Sequence, residues 1–525
     1  MKKVLVLIGL VLMASCVKEI DATKITVEQR QPIMPVLAGK EQNRILEFQL
    51  NVLDSLASYE VKTINFDLEG TADVSDIKSA SVNYHTESKF SDASSFGNQS
   101  SITSKLTIEG NQALASGNNF FWLTIGLNEI PNLLHKVKAK LKSIEFKDGS
   151  ILNVSDATTR EQRIGIALRQ HKQQDVDTYR IPGLATTNRG TLIAVYDNRY
   201  NGSVDLQADV DVAMNRSTDG GQTWSPMKVI MDMGEYGGLP NDQNGIGDPS
   251  VLVDKKTGTI WVAAVWAHGH PGKRNWWASK QGIKPEDTSQ FVLVKSEDDG
   301  LTWSDPINIT EQIKNPDWHL LLQGPGKGIT LKDGTLVFPA QFKDAEQMPH
   351  STLIYSKDNG KTWTIGTGAK PNTTEAQVVE LEDGSLMLNM RDNRNRDSKD
   401  GLHGRSVATT TDLGKTWTEH LTSRKALQES TCMASLISYE HPDKGQILFF
   451  SNPNTTKGRG HITIKTSFDN GNTWPQENQL ELHEENTYGY SCMTIIDEDH
   501  IGILYEGNKE LFFEKIAIAE LIGKE

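Results

Sequence analysis

Ser217-Thr-Asp-Gly-Gly-Gln-Thr-Trp224 decides the fold, because its pattern S/T-x-D-x-G-x-T-W returns four times. The later copies are Ser296-Glu-Asp-Asp-Gly-Leu-Thr-Trp303, Ser356-Lys-Asp-Asn-Gly-Lys-Thr-Trp363, Thr410-Thr-Asp-Leu-Gly-Lys-Thr-Trp417 and Ser467-Phe-Asp-Asn-Gly-Asn-Thr-Trp474. Successive starts lie 79, 60, 54 and 57 residues apart. That period suits one four-stranded blade of a β-propeller. Each copy also reads as a hairpin turn, in which Asp accepts from nearby amides, Gly takes a positive φ and Trp packs into the blade. Alternating strands precede most copies, as at 210–214, 291–295 and 462–465. The 366 residues from 160 to 525, at about 61 per unit, accommodate six blades, one of them without a box.

The segment in front has another texture. Residues 23–155 contain no box, are rich in Ser, Asn and Lys, and alternate at 45–52, 61–68 and 134–146. They predict a separate small β-sandwich, either a carbohydrate-binding-like accessory domain or a structural spacer. Trp122 is its one tryptophan, so aromatic platforms for a sugar are few. The expected fold is therefore all-β, a β-sandwich followed by a six-bladed β-propeller over 156–525.

Composition narrows the partners. The chain has 525 residues, 37% apolar and 23% charged, which excludes a disordered protein and a small stapled one. A net charge of -14 sets nucleic acid aside. The three cysteines, at 16, 432 and 492, fit neither a disulfide scaffold nor a zinc site, and no cofactor is expected. Cys432 and Cys492 read as buried thiols, with a disulfide between them as the alternative. Trp266-Ala-His-Gly-His270, with Trp276 and Trp277 in the same long interval between boxes, reads as a loop over the pocket or a packed turn, with a metal-binding histidine pair as the weaker alternative. Lys2 and Lys3, the apolar run 4–12 and Met13-Ala-Ser15 before Cys16 have the three parts of a secretory signal over residues 1–22. Small residues directly before a cysteine resemble a bacterial lipobox, and ordinary cleavage is the alternative. The expectation is an exported lipoprotein, periplasmic or on the outer membrane or cell surface, held to the membrane only by lipid on Cys16, with a monomer favoured.

Tyr179-Arg-Ile-Pro-Gly-Leu184 stands just upstream of the first box. Together, box and motif resemble the bacterial exo-sialidases (neuraminidases), over residues 160–525. Sialic acid carries a carboxylate on its anomeric carbon, and planar guanidinium groups bind carboxylates bidentately. The resemblance implies a triad of Arg180, Arg391 and Arg459, with Arg199 an additional pocket arginine. Most glycosidases use two carboxylates, whereas sialidases use a tyrosine nucleophile; a neutral phenol avoids the repulsion a carboxylate would meet at this anomeric centre. Tyr490, in Gly489-Tyr-Ser-Cys492, resembles that nucleophile, with Tyr488 as its rival and Glu375 as the base that takes its proton. Asp205 matches the family's acid/base aspartate; Asp197, Asp209 and Asp211 compete on composition, the last two read as facing solvent or neighbouring turns. Asp248 and Gln341 are expected to line the pocket for the N-acetyl and hydroxyl groups. The function implied is a retaining exo-α-sialidase that removes terminal sialic acids from glycoproteins, glycolipids and oligosaccharides, such as mucins, through a covalent tyrosyl-sialoside. A trans-sialidase, including one acting intramolecularly, and a non-catalytic glycan-binding propeller are the alternatives.

Overall fold

The computed structural model describes residues 19–20, 24–53, 58–155 and 159–523. Cys16 and the expected signal segment, apart from residues 19 and 20, lie outside them. The chain divides into two units that interleave in sequence. The front unit comprises the chain up to Pro32, Glu41–Asn128 and Lys136–Gln162; the second comprises Ile33–Lys40, Glu129–His135 and Arg163–Glu525.

The front unit is a sandwich of two antiparallel sheets. One runs Ile25–Arg30, Asn43–Val52, Gly117–Leu127, Ile77–His85, Ser94–Gln99 in spatial order. The other runs Ile151–Asn153, Lys140–Phe146, Glu60–Asp67, Lys105–Ala113. Period-two alternation buries one face of each strand. Phe48 stacks on Phe121 at 5.1 Å and meets Phe66 of the other sheet edge-on at 6.1 Å, so the two inner faces interdigitate. Trp122 is only 2% exposed and packs against Phe90, which removes it as a surface platform for a sugar.

The second unit holds six sheets, each containing a four-stranded antiparallel meander. The innermost strands are Thr178–Thr186, Ile246–Val253, Ile329–Thr330, Thr373–Glu380, Ser435–His441 and Ser491–Ile495. In the sixth blade the chain's last strands, His500–Glu506 and Leu511–Ala517, are joined by Gln162–Arg169 from the unit's beginning. This closure explains why one blade has no box. The box makes the turn from third to fourth strand, and in the sixth blade those strands come from opposite ends of the chain. Val36–Ala38 then adds in parallel outside Gln162–Arg169 and is buried. A cut near residue 155 therefore removes a strand of the sixth sheet.

All five boxes fold alike. In the third, Ser356 Oγ donates to Asp358 Oδ1, Thr362 N donates to the same oxygen at 2.9 Å, Thr362 Oγ1 donates to Asp358 Oδ2, and Gly360 N donates to Ser356 Oγ. These hydrogen bonds, led by the Thr362 amide, hold the Asp358 carboxyl down at about 2. The box glycines sit where blades meet. A Cβ on Gly221 would lie 2.1 Å from Phe513, one on Gly300 2.8 Å from Ile193, and one on Gly360 2.3 Å from Trp261, each a residue of the preceding blade. Glycine is required there both for positive φ and for close approach. Gly360→Ala (φ +80) should cost about 2–4 kcal/mol by urea unfolding, strain and overpacking combined. Gly384→Ala has the same φ sign with open space around the Cβ and should cost about 1 kcal/mol. Equal losses would place the whole cost in the backbone and none at the blade contact.

Candidate active site

The innermost strands of blades one, two and four each break register near their start, between Arg180 and Gly183, Gly247 and Ser250, and Thr373 and Ala376. Such bulges re-aim side chains at sheet rims. Ile181 and Asp248, each followed by a proline, adopt φ +58 within them. Arg180, Asp248 and Glu375 are thereby brought to the wall of one cavity of about 530 Å³, together with Asp205, Gln341, Arg391, Arg459 and Tyr490. Every expected site residue except Arg199 lines it.

Glu506, at the end of His500–Glu506, organises the centre. Its fully buried carboxylate accepts from Arg180 Nε at 3.0 Å, Arg180 Nη2 at 3.4 Å, Ile181 N at 2.9 Å and Tyr490 N at 2.9 Å. Burial of this charge is compensated by four donors, and they come from blade one and from the approach to blade six. Nothing in the sequence marks Glu506, a lone acid at a strand end.

Beside it, Tyr490 OH donates to Glu375 Oε1, while Arg391 Nη1 donates to Glu375 Oε2 at 2.7 Å and to the Tyr490 oxygen at 3.2 Å. Arg459 and Arg180 lie over the Tyr490 ring at 5.7 and 5.1 Å. Burial, then the negative Glu375, push the phenol well above its ordinary value, against Arg391 and Arg459. Burial also acts to raise Glu375, but Arg391 and the Tyr490 hydrogen bond outweigh it and leave this carboxyl low. Tyr488 does not line the cavity; its ring lies under Arg180 at 4.8 Å and its carbonyl accepts from Arg459 Nη1 at 2.9 Å. Arg391 Nε and Gln341 Oε1 are buried with no protein partner, hydrogen-bonding capacity open to a ligand.

Across the cavity, Arg199 sits behind the wall and not in it. It is gripped by Asp197 Oδ2 at 3.1 and 2.9 Å and donates to Asp205 Oδ1 at 2.8 Å. Arg180 Nη1 reaches the same Asp205 oxygen at 3.4 Å. Burial raises Asp205, yet Arg199 and then Arg180 outweigh it, so this half-exposed carboxyl lies below its usual range. Asp248 is opposite in character: burial, then the charge of Asp197, lift it to about 8 despite Arg199. Asp197 accepts from Arg199 and from Asp248 N at 2.8 Å, and burial raises this carboxyl too, against Arg199. Asp209 and Asp211 stand away from the cavity. Asp211 is buried and accepts from Tyr200 OH in the turn after Leu192–Arg199, so of its two readings the neighbouring turn holds and solvent does not.

Trp276 and Trp277 also line the wall, in keeping with the expected loop over the pocket, whereas Arg274, Lys343, Asn372 and Arg396 carried no sequence signal. His268 pairs with Asn244 Oδ1 at 2.7 Å and packs edge-on against Trp266 and Tyr236, a packed turn. Cys432 and Cys492 are buried free thiols.

Residues 190–504 match the family described as BNR repeat-like domain, and residues 24–150 match the N-terminal domain of BNR-repeat neuraminidase. The chain is 44% identical to a sialidase of Bacteroides fragilis (strain YCH46) across 99% of its own length and all of that protein's. It is 32% identical to a sialidase of Paraclostridium sordellii, covering 69% of this chain and 89% of that one. Among solved structures, the Hadza microbial sialidase Hz136 superposes with a TM-score of 0.87 at 40% identity, over 94% of this chain and 99% of the other. The chain thus belongs to the BNR-repeat sialidases (neuraminidases) and is a glycoside hydrolase, an exo-α-sialidase.

Proposed function

We propose that this sialidase works with retention, through a covalent bond between Tyr490 and the anomeric carbon of sialic acid. The observation that carries the reading is the three-way contact of Tyr490 OH, Glu375 and Arg391 in the cavity wall. Arg180, Arg391 and Arg459 take the substrate carboxylate. Asp205 gives its proton to the glycosidic oxygen as the C2–O bond breaks, Tyr490 Oη bonds to C2, and its proton passes to Glu375. Asp205 then takes a proton from water, whose oxygen bonds to C2 as the C2–Oη bond breaks, and Glu375 returns its proton to Tyr490, regenerating the enzyme.

The resting charges run against this chemistry until substrate arrives. Asp205, an acid, is held ionised by Arg199 and Arg180, and Glu375, a base, is weakened by Arg391. A bound carboxylate offsets the field of Arg180 and Arg391. It raises both carboxyls together, so Asp205 gains its proton and Glu375 gains basicity. A 3-fluorinated sialosyl fluoride, which slows hydrolysis of the adduct, should leave a one-to-one mass increase on the peptide containing Tyr490. Tyr490→Phe should take no label and lose about 10³-fold or more in kcat. Label on Tyr488 or on Glu375 would overturn the assignment.

Asp248, protonated near neutrality, is the second reading for the acid. Leaving-group dependence separates the two. Loss of the acid should cost about 10²–10⁴-fold on sialyllactose and far less on an aryl sialoside whose phenolate leaves unaided. Asp205→Asn is expected to show that split and Asp248→Asn a uniform loss. The reverse pattern would transfer the role to Asp248.

We further propose that the natural substrates are sialylated glycoproteins, glycolipids or oligosaccharides, and that the protein is exported and anchored by lipid on Cys16. The basic start, apolar run and small residues before Cys16 support the anchor. Cys16→Ser should move the protein from the membrane fraction to the soluble one with unchanged activity. A native mature chain without acyl mass on Cys16 would refute it.

A further inference from the structure

The innermost strands present a second chemistry at their other ends. The catalytic cavity gathers residues near their beginnings, such as Arg180 in Thr178–Thr186 and Glu375 in Thr373–Glu380. A separate cavity of about 500 Å³ gathers residues from the ends of all six blades' inner strands or just beyond: Thr186, Lys255, Thr330, Glu380, Glu440 and Thr494. It therefore lies on the propeller axis at the opposite face. Its charged wall comprises Lys255, Lys256, Lys327 and Lys332 against Glu380 and Glu440, a surplus of two positive charges in a chain whose net charge is -14.

Two of these ammonium groups lack counter-charges among the described residues. Lys255 Nζ donates to the Thr186 carbonyl at 3.2 Å, and Lys327 Nζ reaches only the Thr494 hydroxyl at 3.5 Å. Lys255 is exposed and Lys327 half-buried, so neither ammonium is sealed from a ligand in the cavity. Glu380 is turned to the Lys332 amide at 2.8 Å and Glu440 to Gln446 at 3.2 Å. Burial pulls Lys327 down to about 8, with the Cys492 thiol opposing and Lys255 adding to the fall; burial lowers Lys255 as well. The Thr186 and Thr494 hydroxyls lie 3.1 Å apart beside them.

We propose that this axial cavity is a binding site for a small phosphate-class dianion, inorganic phosphate or a phosphate monoester, held by Lys255 and Lys327 and independent of sialidase turnover. Two unneutralised ammonium groups match a divalent charge, and the volume exceeds one phosphate, which leaves room for the organic part of an ester. No role in hydrolysis of the sialoside is assigned to it.

Pyridoxal 5′-phosphate is a suitable probe, because its phosphate needs the site and its aldehyde condenses with an unprotonated amine, water leaving, to an imine that borohydride reduces to a stable mass tag. At pH 8 the intact protein should be tagged first on Lys327, at about one per chain. Excess inorganic phosphate should slow this at least tenfold, and pyridoxal without phosphate should tag it at least tenfold more slowly. A sugar phosphate protecting better than inorganic phosphate would identify an ester as the ligand. Lys327→Met and Lys255→Met should each abolish the rise in melting temperature that phosphate gives the wild type, with kcat/KM for an aryl sialoside unchanged. Tagging spread evenly over surface lysines, or tagging of Lys327 indifferent to phosphate, would overturn the proposal on the wild-type protein alone, whether or not the variants fold.

Discussion

The buried carboxylate of Glu506 is the constraint on which the site depends. A fully desolvated charge is tolerated only where donors surround it, and here the donors are Arg180, the Ile181 amide and the Tyr490 amide. One group thus fixes an arginine of the cavity wall and the backbone that carries Tyr490, the proposed nucleophile. It also belongs to the last blade, while Arg180 belongs to the first. Closure of the ring and assembly of the catalytic centre are the same event: until Gln162–Arg169 pairs with Leu511–Ala517, there is no frame that brings Glu506 to Arg180. Removing the carboxylate would strand Arg180 in a buried place, an effect that in other proteins costs about 3–5 kcal/mol.

The bulges at the inner strand starts follow from the same demand. A regular antiparallel strand alternates its side chains between faces, so an arginine and the amide of the next residue cannot converge on one acceptor. A left-handed Ile181 permits it, since Arg180 Nε and Ile181 N both reach Glu506 Oε1. A β-branched residue at positive φ is unfavourable, and the buried ion pair holds it there. Asp248 repeats the conformation in blade two, where its amide reaches Asp197. Each of these two bulges pairs a left-handed residue with a buried carboxylate from another strand.

This divides what could be read in the sequence from what could not. The boxes were legible because a turn is local: Ser356, Asp358, Gly360 and Thr362 satisfy one another within seven residues, and the spacing alone encodes the geometry. The arginines and Tyr490 were legible through a family resemblance, since their residue types follow from the charge of the substrate. Glu506, Arg274 and Arg396 were not, because each acts through a partner hundreds of residues away or through a loop with no motif. Arg199 was read as a pocket residue and stands one layer back, for its partner Asp197 is two residues away on the same strand and fully buried. The interleaving of Val36–Ala38 with the propeller was equally silent, since a three-residue strand has no period to read.

Net charge proved a poor guide to the ligand's sign. A value of -14 predicts repulsion of anions, yet the cavity wall gathers Arg180, Arg274, Arg391, Arg396 and Arg459. The two facts are compatible because surface charges are screened within about 8–10 Å at physiological salt, whereas arginines set in a low-dielectric wall are not. The sign of a site is therefore set by which buried charges remain uncompensated after their neighbours are counted. Arg199 is neutralised by Asp197 and lies behind the wall; Arg180 is shared between Glu506 and Asp205, Arg391 pairs with Glu375, and both line the cavity; Arg459 leans on a carbonyl and an aromatic face. The graded residue of positive charge across these four arginines is largest at Arg459, whose guanidinium lies over the ring of Tyr490, the proposed nucleophile.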